Sequence, residues 1–195
     1  MINVCLRAPW HIAAAATVLV APVHVGVAAA GAAGEYQADA GDFAAGMERM
    51  AFLRGDWTAT QSVPTPQGGW RRLGESALSF RASMNDRYLE TITASAGYNY
   101  HLIFSYDTAQ RRYRIISRDD RSGLIDVYEG EFSADGALVV SNLRSGTHYS
   151  IGGVRYHNRM TFRRDGGRGW VWTVDGTSDG GRSWQPQTRV EARAG

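Results

Sequence analysis

Glu90, in the segment RYLETITAS, and Asn158, in VRYHNRMTF, are the polar side chains whose spacing points to a site. Both segments alternate with a period of two, the pattern of β-strands. In the second, Val154, Tyr156, Asn158, Met160 and Phe162 share one face, and Arg155, His157, Arg159 and Arg163 share the other. A row of cations belongs in water, so the face bearing Asn158 is expected to point inward. By the same alternation Trp170, Trp172 and Val174 point in from WVWTV. Tyr100, Leu102, Phe104 and Tyr106 do so from YNYHLIFSY, and Tyr88, Glu90 and Ile92 from RYLETITAS. A filled apolar core does not accept an unpaired carboxylate. Either the two polar groups satisfy each other, or they line a cavity in which they orient a ligand. The expected lining is Glu90, Tyr100, Phe104 and Tyr106 with Asn158, Met160 and Trp172. A carboxylate so placed also has an enzymatic reading, with Glu90 as acid or base.

Other chemistry finds little support. The sequence holds no G-x-S-x-G, H-E-x-x-H, P-loop or G-x-G-x-x-G, so no catalytic residue beyond the Glu90 alternative is assigned. Its acidic residues match no calcium loop, and no metal site is expected. Arg54-Gly55-Asp56 spells an adhesion tripeptide, but it joins a helix directly to a strand instead of standing at a loop tip. The stretch TSDGGRSW, Thr177 to Trp184, matches the Asp-box of sialidase propellers. One copy cannot build a propeller. The local physics is that of a turn, with Asp179 accepting backbone N–H bonds and Gly180 and Gly181 supplying positive φ. Cys5 is the only cysteine, which leaves no disulfide to form within the chain. All 21 basic residues are arginines, interleaved with 19 acidic ones to a net charge of +2. That mixture does not make a nucleic-acid surface. The partner it leaves room for is a small apolar or amphipathic molecule.

The elements that must position these residues follow from the remaining pattern. A single positive charge in MINVCLR precedes an Ala-rich apolar run that ends in small residues near Ala30. Residues 1–30 are therefore expected to be a signal peptide. Its removal would leave a periplasmic or secreted protein with no stable membrane insertion. Residues 31–42 are expected to be a flexible leader, and 43–195 the folded domain. Phe43, Met47, Met50 and Leu53 recur at helical spacing, with Asp42 placed to cap the helix. From Trp57 onward about ten alternating segments are separated by turn clusters such as PTPQGG, DDRSG, RSGTHYSIGG and RDGGRG. No helix intervenes to cover a sheet. The expected fold is all-β: an antiparallel up-and-down β-barrel of about ten strands with a short N-terminal helix, closed to remove its edges.

A short helix, Gly55-Asp56-Trp57, and an antiparallel meander resemble the lipocalin-like (calycin) superfamily. In that superfamily the Trp closes one end of the barrel and an Arg of the last strand packs over it. The resemblance implies that closure role for Trp57 and for Arg193, or alternatively Arg189. MERMAFLRGDW, FSYDTAQRRYR, SGLIDVYEGEFSADGALVVS and DGTSDGGRSWQP are further similar to a family of secreted bacterial domains of unknown function within the superfamily. The likeness covers Met47 to Arg193. It implies ligand binding in the barrel interior; no cofactor is expected. Haem-binding barrels of the nitrobindin type are relatives, but they carry glycines where this chain has Ala59 and Gln61. His101 and His157 face outward by alternation, away from any haem. A filled barrel acting as a structural envelope protein is the remaining alternative.

Overall fold

Residues 40–95, 97–167 and 169–194 are described by a computed structural model of the chain. The expected signal peptide, 1–30, and most of the expected leader lie outside the described residues. Helix α1 (Ala40–Glu48) and a 3-10 turn (Ala51–Leu53) carry the predicted apolar face, with Met47, Met50 and Leu53 all buried. The helix starts within the expected leader. Asp42 therefore sits in its first turn instead of capping it, where a carboxylate still suits the positive end of the helix dipole. Gly55, with φ of 118°, then turns the chain into the first strand through backbone that a side chain would strain.

Eleven strands follow: β1 (Gly55–Pro64), β2 (Trp70–Ser83), β3 (Tyr88–Ser95), β4 (Tyr98–Asp107), β5 (Arg112–Asp119), β6 (Ile125–Phe132), β7 (Leu138–Ser141), β8 (Tyr149–Ile151), β9 (Val154–Arg164), β10 (Gly169–Thr177) and β11 (Gln185–Ala194). Each pairs antiparallel with the next from β1 to β7. Strand β9 takes the free edge of β7, β10 and β11 follow, and β11 returns to β1 with Ala194 opposite Trp57. Ten strands thus close a barrel of the lipocalin-like kind. The eleventh, β8, forms a small hairpin on the start of β9, with Tyr149 opposite Tyr156. It occupies the stretch expected to be a turn, because three residues are too few to show a period. Beside it the backbone of Val127 is satisfied by side chains: Thr147 Oγ1 accepts from its N–H at 3.1 Å, and Ser145 donates to its carbonyl at 2.6 Å.

Half of the barrel interior is solid. Rings follow one another from Trp57 through Trp170, Phe80, Phe104 and Phe162 to Trp172, with neighbouring centroids 5.3–5.9 Å apart. All but the last contact, where Trp172 stacks on Phe162, are edge-to-face, and aromatic pairs in either arrangement are worth ~0.5–1.5 kcal/mol each beyond the area they bury. Helix α1 caps this end. Tyr113 donates its hydroxyl to the Gly46 carbonyl at 3.0 Å, and the Tyr106 ring lies where a Cβ on Gly46 would be, 2.3 Å from that position. Gly46→Ala, a substitution that favours an isolated helix, is therefore expected to destabilise this protein by about 1–3 kcal/mol. A urea melt checks the sign. A more stable variant would mean the helix is not held against Tyr106.

Trp57 packs at the helix-capped end of the barrel, but not against the expected partner. Its indole N–H donates to the Leu53 carbonyl at 2.8 Å and its edge meets Trp170. Arg193 lies opposite Thr58 on the outer face and pairs with Asp165, while Arg189 pairs with Glu191 at 2.5 Å. Both arginines fall on the solvent side because Val190 and Ala192 take the inward positions between them. At this end the guanidinium is supplied by Arg164, 4.9 Å from the ring centroid of Phe52. Asp56 is held by Arg81 at 2.5 Å and by Ser79, so the Arg-Gly-Asp tripeptide is built into a strand start and its carboxylate is already engaged.

Candidate functional site

The half of the barrel away from α1 is open. A cavity of about 530 Å³ lies among the far ends of the strands, a size typical of small-molecule sites. Its floor is apolar: Leu102, Met160, Trp172 and Val190 are buried there, and Trp172 stacks on Phe162 at 5.4 Å. Tyrosines form much of the wall, with Tyr98 and Tyr100 from β4, Tyr128 from β6 and Tyr149 from β8. Strand β8, added outside the barrel ring, thus supplies part of the mouth through Tyr149, Ser150 and Ile151.

Four of the sequence-predicted lining residues come together here: Tyr100, Asn158, Met160 and Trp172. Phe104 and Tyr106 share their inward face but lie deeper. Phe104 is fully buried among Phe80 and Phe162, and Tyr106 packs against Tyr113 beneath the helix. Glu90 is a correction. In β3 the inward residues are Leu89 and Thr91, both buried, and Thr93, which lines the cavity; Ile92 is 66% exposed. Glu90 is consequently on the outer face. Ser83 donates to it, and His101 Nε2 lies 2.8 Å from its other oxygen. Arg118 reaches His101 Nδ1 at 2.8 Å, which leaves the imidazole proton on Nε2, directed at Glu90. The Ser83 hydrogen bond, ahead of that from His101, holds the Glu90 carboxyl below its usual range. The serine is bonded to the carboxylate and not to the imidazole, so the trio lacks the geometry of a nucleophile and its base.

The buried carboxylate inside the barrel is Asp126, a residue the sequence reading passed over. It is 6% exposed and lines the cavity. Tyr128 donates its hydroxyl to Asp126 Oδ2 at 3.3 Å, and Asn142 Nδ2 donates to Oδ1 at 3.2 Å. Burial, reinforced by the Asp126 charge, pushes the Tyr128 phenol far above its ordinary range and keeps it a donor. Asn142 is fully buried and binds the pieces together, since its Oδ1 accepts the Asn158 backbone N–H at 2.7 Å. Asn158 Oδ1, buried at the cavity, has no partner among the described residues. In LIDVYEGEF either alternate set of residues mixes polar and apolar groups. The available signal was charge: Glu129 meets Arg112 and Arg114 of β5 on the outer face, which sends Asp126 and Tyr128 inward.

Two further features resolve as structure. Asp179 accepts the Ser183 N–H at 3.0 Å and the hydroxyls of Ser183 and Thr177 at 2.7 Å, and these bonds hold its carboxyl well below the carboxylate range. The Asp-box match is this turn. Among the described residues the cavity lining contains no histidine; His148 and His157 face each other elsewhere, 5.9 Å between ring centroids. No group of three or more His, Cys, Asp or Glu suited to a metal occurs among the described residues. No helix among them is long and apolar enough to cross a membrane. No protein-family model matches the chain, and no curated protein matches it.

Proposed function

We propose that this chain is an exported lipocalin-like binding protein that takes up a small, mostly apolar molecule at the open end of its barrel. The observation that carries the reading is the half-filled interior: a solid aromatic floor beneath a cavity of about 530 Å³. Such a site works by burying ligand area, at roughly 25 cal/mol per Å². A few fixed polar groups set the orientation, here Asp126, Asn158 and Ser117. Cleavage of residues 1–30 places the binding domain in the periplasm or outside the cell, on the strength of the charge, apolar run and small-residue boundary in the sequence. The enzymatic alternative loses its candidate acid, because Glu90 lies outside the cavity.

Titration with N-phenyl-1-naphthylamine, a neutral apolar probe that brightens on burial, tests the proposal. Saturable binding at a Kd in the micromolar range is expected. Ser117, a buried residue of the lining, has space in front of it. Ser117→Phe should fill that space, weakening the probe by about tenfold or more while leaving the thermal midpoint near that of the parent. Absence of saturable binding to the parent protein would overturn the reading.

A further inference from the structure

The charges of the cavity have one sign. Its lining includes two carboxylates, Asp126 inside and Asp119 at the mouth, and among the described residues it contains no arginine, lysine or histidine. This is unusual in a chain whose 21 basic residues outnumber its acidic ones. The outer acids are answered by arginines: Glu129 by Arg112 and Arg114, Asp175 by Arg159, Asp135 by Arg163. Asp126 has only the neutral donors of Tyr128 and Asn142, and forms no ion pair with any described residue. A buried carboxylate in that state lacks the counter-charge that would offset its desolvation. In the same lining are Asn158 Oδ1, an acceptor with no partner among the described residues, and the aromatic side chains of Tyr100, Tyr128, Tyr149 and Trp172. An acceptor without a donor, a carboxylate without a cation and several aromatic side chains are complementary to an ammonium group. At the mouth, the Arg121 guanidinium already lies 5.3 Å from the Tyr98 ring centroid, outside the lining and next in sequence to Asp119 and Asp120.

We infer that the ligand of this cavity is an organic cation, a protonated amine on an apolar body, whose N–H groups are received by Asp126 and Asn158 while the body rests on Leu102, Met160 and Trp172. The inference rests on the binding reading above and specifies its ligand class. It disfavours fatty acids and other amphipathic anions, whose head group would meet Asp126 inside the cavity with no basic side chain in the described lining to receive it.

Three probes with the same ten-carbon chain separate the inference from that reading. Decylammonium, decanol and decanoate would be titrated calorimetrically into the full chain at neutral pH, each below its micelle concentration. Decylammonium is expected to bind at least about tenfold more tightly than decanol, and decanoate to bind more weakly than either. In Asp126→Asn the ratio of decylammonium to decanol affinity should fall by about tenfold. Equal affinities for decylammonium and decanol, or a preference for decanoate, would overturn the cation inference and leave the cavity a binding site for neutral or anionic molecules. Failure of all three to bind would overturn both readings. Should Asp126→Asn not fold, the ranking of the three probes on the parent protein decides the matter alone.

Discussion

Trp170→Ala is expected to lower the unfolding free energy by about 3–5 kcal/mol. Trp170 is fully buried and sits where the two ring contacts of the closed end meet, with Trp57 at 5.9 Å and Phe80 at 5.5 Å. Its strand, β10, is paired on both edges, with Arg164 on one side of Trp170 and Ala192 on the other, so the backbone cannot close over the void. For a chain of this size the loss corresponds to a fall in Tm of roughly 6–20 °C. Trp170→Phe should cost under about 1.5 kcal/mol, because the indole N–H of Trp170 has no partner among the described residues to lose. Arg193→Ala should change stability by no more than about 0.5 kcal/mol, since its ion pair with Asp165 is on the surface. Thermal and urea melts of the three variants decide between two accounts of barrel closure. A large loss in Arg193→Ala with a small one in Trp170→Ala would restore the arginine to the role that the family resemblance implied.

The second large effect is expected at Asn142. This fully buried amide donates to Asp126 and accepts from the Asn158 backbone, tying β6 and β9 together where the β7–β8 connection passes between them. Asn142→Leu keeps the volume and removes both bonds, leaving a buried N–H and a buried carboxylate oxygen short of a partner. A loss of about 2–5 kcal/mol is expected. Part of that loss should vanish when Asp126 is also replaced by leucine, because the group left unsatisfied is then gone. A double-mutant cycle read by urea unfolding measures the coupling. Strict additivity of Asn142→Leu and Asp126→Leu would show that the two side chains do not act as one network.

The fold could be read from the sequence because its strands announce their faces. In β9 the arginines and His157 mark the wet side so plainly that Tyr156, Asn158, Met160 and Phe162 could only go in, and the tryptophans of β10 repeat the argument. In β3 both alternate sets are plausible insertions: Tyr88, Glu90 and Ile92 against Leu89, Thr91 and Thr93. What settles the matter is His101, two positions from the Glu90 partner Ile103 on β4, with Arg118 behind it on β5. A charge satisfied across three strands leaves no trace within any one of them. Asp126 escaped for the same reason, and β8 because its pairing with β9 depends on a turn and not on a pattern. The cavity was therefore legible where one strand sufficed to assign a face, and illegible where neighbours had to be known.

The pairing of β1 with β11 has a bearing on how the chain folds. Every other pairing in the ring joins strands close in sequence and can form as local hairpins, including the β7–β9 contact, which skips only the short β8. The contact of Trp57 with Ala194 spans the entire barrel, and the loop it closes is the longest the fold contains. Its entropy must be met before the aromatic floor is enclosed, because Trp57 and Trp170 come from strands on either side of β11. The high contact order of this last step makes closure the slow event of folding. Until β11 reaches β1, these two strands each present an unpaired edge, so the open meander is the species most exposed to aggregation.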